Sequence, residues 1–403
     1  MRLIYNLGII IFSFACNIAA LFSEKIRTMC KGQSQTWQKL SLLDKNKKTA
    51  WFHCASLGEF EQARNLIEEI KTTKPEYQIL LTFFSPSGYE VRQNYAYADC
   101  VVYLPFDTIK NAKRFVALTK PDMVFFVKYE FWWNYIFELK NTPLYSVSLI
   151  LREKHYIFKS YSSWFRKQLS NFNMFFVQDK KTASLLNSIN YTNNKICGDT
   201  RFDRVYSMSK EHKTFPIINK FIDGKKVFIA GSSWPEDEKI IKKATDNLND
   251  LKIILAPHLI DKNHISALLS QFDNSIAFSS LSEENAKNYR VLIIDNIGML
   301  MFLYSLCDIA YIGGGFGAGI HNILEAAVFN KPVAFGPNNK KFKEAQDLIA
   351  LGGAKEIINE TNLSVWLTNL LNNETIYTNT ANIAGAYVKE NIGATNKILT
   401  EIF

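Results

Sequence analysis

Several short segments of this chain carry side chains that could do chemistry, and each stands where an apolar run ends. Ser56-Leu57-Gly58-Glu59 follows such a run and opens a helical pattern. S-x-x-E in that place is a capping box, with Glu59 folding back on the Ser56 amide. The same carboxylate, held at the carboxyl end of a strand, is also a candidate general base for an acceptor hydroxyl. Ser85-Pro86-Ser87-Gly88 repeats the strand-to-helix turn and reads either as an anion site or as a plain turn. Lys128-Tyr129-Glu130-Phe131-Trp132-Trp133-Asn134 sets Lys128 and Glu130 at the end of another apolar run, as a buried ion pair or as part of a site. Asp199-Thr200-Arg201-Phe202-Asp203-Arg204 packs charges around one Phe, and its plain reading is an interdomain salt-bridge cluster.

Gly231-Ser232-Ser233-Trp234-Pro235-Glu236 ends a strand and starts a helix, so the hydroxyls of Ser232 and Ser233 and the helix N-terminus suit a phosphate. The glycine-rich segment Gly313–Gly319 leads from a strand to a helix through His321 and Glu325, and its first six residues match G-x-G-x-x-A. A dinucleotide site would place an acidic residue about 20 positions on, and none stands there. A phosphate at the loop around Gly315, with Glu325 on ribose hydroxyls, fits better. No D-x-D occurs, which a metal-dependent sugar transferase of the single-domain type would use.

These segments need a frame. Strand-like runs at Ala50–Ala55, Ile79–Phe84, Cys100–Leu104, Met123–Val127, Leu144–Leu149 and Met174–Val177 fill the first half, and Val227–Ala230, Ile253–Ala256, Val291–Ile294, Ile309–Ile312 and Pro332–Phe335 the second. Amphipathic stretches such as Glu59–Ile70, Lys180–Ile189 and Lys341–Leu351 fall between them. Continuous apolar strands with intervening helices predict α/β structure, a parallel sheet covered on both faces, in two Rossmann-like domains. Ligands in such sheets bind at the carboxyl ends of the strands, here in a cleft between two facing domains. The expected divisions are an apolar segment over 1–30, a first domain over 31–205, a polar boundary near Asp203–Asp223, a second domain over 224–374, and a helix over 375–403 crossing back to the first domain.

Met1 to Phe22 contains one charged side chain, Arg2, and is followed by Glu24, Lys25, Arg27 and Lys31. About 20 apolar residues just suffice to span a bilayer, and the basic residues after them put the remainder in the cytoplasm. The segment either crosses the membrane or lies on it. The net charge of +9 lies in the first half: residues 1–200 hold 26 Lys+Arg against 16 Asp+Glu, and the rest hold 21 against 22. A basic half points to an anionic surface or substrate. No zinc finger, RGG run or basic heptad region supports nucleic acid. The 6 Cys show no C-x-x-C and the 6 His (53, 155, 212, 258, 264 and 321) no H-E-x-x-H, which argues against a zinc site or a disulfide framework. With 47% apolar and 21% charged residues, the chain is neither disordered nor fibrous.

The ordered segments SLGE, SPSG, KYEFWWN, GDTRFD, GSSWPEDE, APH (256–258), GML (298–300), HNILEAA (321–327) and FGPNNKKF (335–342) resemble the 3-deoxy-D-manno-octulosonic acid (Kdo) transferases of lipopolysaccharide synthesis, over nearly the whole chain. The resemblance implies a two-Rossmann (GT-B) glycosyltransferase with no cofactor and no metal. Such an enzyme moves Kdo from CMP-Kdo to a lipid A precursor with inversion, at the cytoplasmic face of the inner membrane. It makes the first domain the acceptor domain and the second the CMP-sugar domain, with the anionic membrane surface as a partner.

Residue by residue, the resemblance puts the proton acceptor on Glu59. CMP contacts fall on Pro257 and His258, on Gly298, Met299 and Leu300, and on Asn322, Ile323, Leu324 and Glu325. His258 stands where many members have Arg. Lys128 stands where the family's E-T-E-L-W-P-N has its first Glu, so either Glu130 takes over that role or Lys128 binds an anion. The family's G-N-L-K-F-D lysine falls on Arg201. Two rival readings are another nucleotide-sugar enzyme of this architecture, such as a UDP-sugar transferase or epimerase, and a non-catalytic membrane-associated nucleotide-binding protein.

Overall fold

The structure, a computed structural model, describes residues 1–211 and 213–403, so His212 lies outside the described residues. The chain forms two compact units, one of Met1–Arg204 with Ile392–Phe403 and one of Val205–Asn391. Each is built on a seven-stranded sheet.

In the first unit the strands are β1 (Lys48–Cys54), β2 (Tyr77–Phe83), β3 (Cys100–Tyr103), β4 (Met123–Val127), β5 (Leu144–Leu149), β6 (Met174–Val177) and β7 (Asn194–Ile196). Their order is β3-β2-β1-β4-β5-β6-β7, parallel throughout. Alternate residues of each inner strand enter opposite layers of core. Phe52, Leu81 and Phe125 lie on one face, and Trp51, Leu80 and Val124 on the other, all fully buried. On the first face Phe52 stacks on Phe125 at 4.4 Å, and on the second Trp51 packs on Phe115 at 4.8 Å. Helices on both faces supply the cover that a parallel sheet requires.

The second unit repeats the plan with β8 (Val227–Ser233), β9 (Lys252–Pro257), β10 (Ser275–Ala277), β11 (Val291–Ile293), β12 (Ile309–Ile312), β13 (Val333–Phe335) and β14 (Ala354–Glu356). Here the order is β10-β11-β9-β8-β12-β13-β14, again parallel. In both sheets the first strand is flanked by neighbours running outward in opposite directions of chain order. The turns after β2, β1 and β4 therefore stand side by side, as do those after β9, β8 and β12, and such switch points are where open α/β sheets bind ligands.

Both sheets end on strands that the apolar pattern does not announce. β7, β10 and β14 are three-residue edge strands, and in β7 Lys195 and Ile196 are exposed. An edge strand packs less of its surface, so its sequence carries no continuous apolar run. β8 also runs past the expected Ala230 to Ser233, through an irregularity where Ser232 takes a left-handed φ of 52°.

The apolar N-terminal segment is the helix Arg2–Ala19, long and apolar enough to cross a membrane. One of its faces lies on the first unit. The Tyr5 hydroxyl donates to Asp107 at 2.5 Å, Asn134 Nδ2 donates to Asn6 at 2.8 Å, and Phe12 packs on Phe84 and Phe106. The other face is bare, with Leu3, Leu7 and Phe14 all more than half exposed. At the other end of the chain two helices, Glu374–Glu390 and Ala394–Ile402, break at Gly393, whose φ of 103° ordinary residues avoid. The first of these belongs to the second unit and the second to the first unit, where Asp203 accepts the Gly393 and Thr395 amides.

Candidate functional site

In the first unit β1 ends at Cys54 and the helix Leu57–Thr73 begins three residues later. The capping box suggested by S-x-x-E does not form: Ser56 makes no side-chain cap, and its hydroxyl donates to the Glu59 carboxylate instead. A charged oxygen is the stronger acceptor, so it captures the hydroxyl. From the neighbouring strand exit, Lys128 Nζ reaches Glu59 Oε1 at 3.2 Å. Burial opposes ionisation of Glu59, but the Lys128 charge and the bonds from Ser56 and Lys128 outweigh it and hold the carboxyl below its ordinary value.

Lys128 has a φ of 59°, a conformation few residues other than glycine adopt, and its N–H donates to the Val147 carbonyl. Glu130, two residues on, behaves in the opposite way to Glu59. Burial and the nearby Glu59 charge push its carboxyl up to about 7, partly countered by the Trp132 indole N–H, which donates to it at 3.0 Å, and by Lys128. Behind it lies His53, fully buried, with Nδ1 2.9 Å from the Thr82 hydroxyl and Nε2 3.9 Å from Glu130. Burial pushes this imidazole down to about 3, so it is neutral. Two adjacent carboxyls with opposed shifts and a neutral His thus meet at the β1–β4 switch point.

Arg201 is attached to the same helix from outside. It pairs with Asp199 through Nη2 at 2.8 Å and Nε at 2.9 Å, and Gln62 of the helix donates to Asp199 at 3.0 Å. Asp199 is buried, yet the Arg201 charge and these bonds keep its carboxyl below the usual range. Within the first unit Arg204 also pairs with Glu61 at 3.6 Å and with Glu68 at 3.7 Å. Ser85 caps the short helix Pro86–Arg92 by accepting from the Ser87 amide, as a plain turn does.

In the second unit the turn after β8 and the glycine loop after β12 are tied by Asp237. Its carboxylate accepts from the Trp234 amide at 3.0 Å, the Gly314 amide at 2.8 Å and the Tyr311 hydroxyl at 2.7 Å. A Cβ on Gly313 would stand 2.2 Å from the Ser232 carbonyl oxygen, so only glycine lets the two segments touch. Ser233 is buried and its hydroxyl donates to Glu238, which His264 also meets. Ser232 is half-buried.

Over this turn three rings form a column. Trp234 stacks on His258 at 4.6 Å and His258 on His321 at 4.7 Å, while the Trp234 indole N–H donates to His321 Nε2 at 3.3 Å. Burial and the neighbouring His258 push His321 down to about 4. His258 follows Pro257 at the end of β9, is exposed, and donates its N–H to the Ser233 carbonyl. Gly298, with a φ of 96°, and the half-buried Met299 and Leu300 follow β11; Leu300 lies against Gly231.

The helix that the glycine loop was expected to open starts only at Leu324 and ends at Ala327. Glu325 sits in its first turn and accepts from Asn322 Nδ2 at 3.0 Å. Ile323 and Leu324 are fully buried, so the structure does not expose them to a ligand. Among the described residues no three His, Cys, Asp or Glu side chains group as a metal site.

The structure therefore gathers Glu59, Lys128 and Glu130, with Arg201 attached through Asp199 and Gln62. Separately it gathers Ser232, Ser233, His258, Leu300 and the loop around Gly315. Sequence reasoning missed His53, which reads as one more residue of a buried strand. It missed the roles of Trp234 and His321, which only the strand order reveals. Asp237 could have been found: it stands three residues after Trp234 at the start of a helix, the spacing of a capping box.

The family model of 3-deoxy-D-manno-octulosonic-acid transferase (kdotransferase) matches residues 32–204. The chain is 30% identical over 336 residues to the 3-deoxy-D-manno-octulosonic acid transferase of Aquifex aeolicus, covering 81% of this chain and 87% of that one. It is 27% identical over 340 residues to the enzyme of that name from Rickettsia prowazekii, covering 80% and 72%. Among solved structures it resembles UDP-GlcNAc 2-epimerase from Neisseria meningitidis bound to UDP-GlcNAc, with a TM-score of 0.60 and 17% identity over 88% of this chain and 98% of that one. At that identity the likeness is one of fold.

Proposed function

The chain belongs to the 3-deoxy-D-manno-octulosonic acid transferase family, and on that premise we propose that it transfers Kdo from CMP-Kdo to a lipid A precursor, with inversion and without a metal. The observation that carries the reading is the state of Glu59. Its carboxylate is not used to cap its own helix; it is held ionised by Ser56 and Lys128 beside a second, raised carboxyl. A sugar hydroxyl is a weak nucleophile, so a base must take its proton as it attacks the anomeric carbon, and an ionised carboxylate can do so. Glu130, its carboxyl raised to about 7, is half protonated at neutrality, so Glu59 is the one of the pair that stays ionised there.

The leaving group is a nucleoside monophosphate. In this proposal the second unit holds it. His258 within its ring column and the backbone of Gly298–Leu300 hold the nucleotide, Ser232 and the glycine loop meet the phosphate, and Glu325 binds ribose hydroxyls. Arg201, paired with Asp199 within the first unit, keeps the positive charge of the family's basic residue at that position. Developing charge on a leaving phosphate can be met by such preorganised donors in place of a metal.

The acceptor is a phosphorylated lipid, and the same proposal docks the protein on the cytoplasmic face of the inner membrane. The bare face of Arg2–Ala19 enters the lipid while Lys25, Arg27 and Lys31 meet anionic headgroups. Tyr5 and Asn6, bonded to Asp107 and Asn134, favour a helix lying on the membrane with its other face on the protein.

The test is full-length protein with CMP-Kdo and a tetra-acylated lipid A precursor, scored by product mass. The expected product is heavier by one or more Kdo units, and its yield stays nearly the same in excess EDTA. Unaltered acceptor beside consumption of a UDP-sugar would assign the chain to the rival nucleotide-sugar reading. A rate abolished by EDTA and restored by Mg²⁺ would remove the metal-free mechanism.

A further inference from the structure

The loops after β12 and β13 enclose a cavity of about 510 Å³ that the functional reading above leaves unused. Its walls are the glycine loop, through Gly317 and Ala318, and the segment Pro337–Lys341, with Glu356 at one side. The two loops are fused along their backbones. A Cβ on Gly315 would stand 2.5 Å from the Gly336 Cα, and one on Gly336 would stand 2.6 Å from the Gly315 carbonyl carbon. The Asn338 amide donates to the Gly315 carbonyl at 2.8 Å, and Asn338 Nδ2 donates to the Gly317 carbonyl at 2.7 Å. Beneath them Asn339 is fully buried and donates to Glu356 at 2.7 Å, so the one acidic residue of the wall is already met by a donor. The cavity is thus preformed, and nothing needs to move to create it.

Its polar lining is suited to an anion. Lys340 and Lys341 both line it and both are exposed, and Lys340 makes no ion pair among the described residues. On the facing loop the Ala318 amide meets no protein acceptor among the described residues. Two ammonium groups with a free backbone amide beside them suit a carboxylate or a phosphate.

Position chooses between those ligands. The glycine loop is a shared wall: at Gly314 it lies against His321, and through it against the Trp234–His258–His321 column, while at Gly317 and Ala318 it lines the cavity. A donor whose nucleotide lies on the column has its sugar carried past the loop. We propose that this cavity binds the carboxylate of the donor's sugar acid, and that Lys340 and Lys341 select an acidic sugar over a neutral one. The proposal rests on the reading of the donor as a CMP-linked sugar acid.

The test compares CMP-Kdo with CMP, which lacks the carboxylate. In the full-length Lys340→Ala/Lys341→Ala variant the KM for CMP-Kdo is expected to rise about tenfold to a hundredfold, while the inhibition constant of CMP stays within twofold and the melting temperature holds. The Lys340→Arg/Lys341→Arg pair is expected to recover most of the loss. Lys340→Ala alone breaks no ion pair and supplies a folded variant should the double one fail, with a smaller rise in KM. A KM for CMP-Kdo within twofold of the original overturns the proposal. So does a parallel rise in KM and CMP inhibition constant, which would put the lysines on the phosphate. Wild-type protein that neither binds CMP nor consumes CMP-Kdo is a different failure, since it removes the donor reading itself and the cavity's assignment falls with it.

Discussion

At the carboxyl end of β1 a carboxylate is met by a lysine and a hydroxyl; at the carboxyl ends of β8, β9 and β12 two imidazoles and an indole stack face to face. The two places are topologically equivalent, each at the point where the strand order of its sheet turns back. Their chemistry differs in kind. The first unit gathers titratable and charged groups at half-buried positions and separates its two carboxyls, one held low and one raised. The second keeps His321 neutral, pushed down to about 4, and orients its rings by contact with one another, with backbone and, through the Trp234 amide, with Asp237. The contrast suits a division of labour. Proton transfer needs groups whose charge can change, whereas holding a nucleotide needs a rigid surface whose charge does not.

The sharpest way to break that contrast is Glu59→Gln. The amide keeps an acceptor for Ser56 and for Lys128, so the melting temperature should move by no more than about a degree or two. It cannot take a proton, so turnover should fall by about 10²–10⁴-fold with CMP binding unchanged. A stable Gln variant that keeps more than about a third of the original turnover, with chemistry rate-limiting, would move the base elsewhere, with Glu130 the next candidate. The matching change in the second unit is Glu325→Ala. Loss of a carboxylate from ribose hydroxyls should raise the donor KM about tenfold to a hundredfold, because a hydrogen bond to a charged group is worth roughly 1.5–3 kcal/mol. The acceptor KM should stay in place; equal changes in both would take Glu325 out of the donor site.

How much of this could be read from the sequence follows from the same comparison. The inner strands were legible because both their faces are buried, so Trp51 and Phe52 on adjacent positions both had to be apolar. The edges β7, β10 and β14 were not, because three residues with partial cover leave no pattern. Within the sites, Glu59, Lys128 and Glu130 stood out singly at the ends of apolar runs. The bond between Lys128 and Glu59 did not, since the two lie 69 residues apart and meet only because β4 pairs with β1. The ring column has the same origin: Trp234, His258 and His321 come from three turns that the order β9-β8-β12 sets side by side. Local spacing predicted a capping box at Ser56, but the Ser56 hydroxyl donates to the Glu59 carboxylate, which also meets the Lys128 charge brought in from another strand.

That charge supplies a smaller test. Lys128→Gln removes the cation that lowers Glu59, so the Glu59 carboxyl should titrate higher and the acidic limb of the turnover profile should move up in pH. Turnover should drop about two- to tenfold near pH 6 and stay close to the original near pH 8. An unshifted limb with a uniform loss would make Lys128 a ligand of the substrate's anion, and the first unit would then bind as the second does.

The smallest expected effect concerns Glu130 and is read in stability. Its carboxyl is raised from the ordinary 4.5 to about 7 by burial and by the Glu59 charge. Between those values the folded chain binds a proton that the unfolded chain has released. Folding is therefore favoured by that proton at low pH, and the advantage is lost as pH rises through about 7. Asp107, raised to about 7 by burial beneath Tyr5, acts with the same sign. The wild-type melting temperature should accordingly fall between pH 5.5 and pH 8.5. Glu130→Gln carries no titrating group, keeps an acceptor for the Trp132 indole, and leaves Asp107 alone, so its decline over the same range should be shallower by about 2–4 °C. Parallel declines in the two proteins would mean that Glu130 is ionised in the fold throughout. The two carboxyls would then not be separated in pKa, and the first unit would lose the feature that distinguishes its site from the stacked rings of the second.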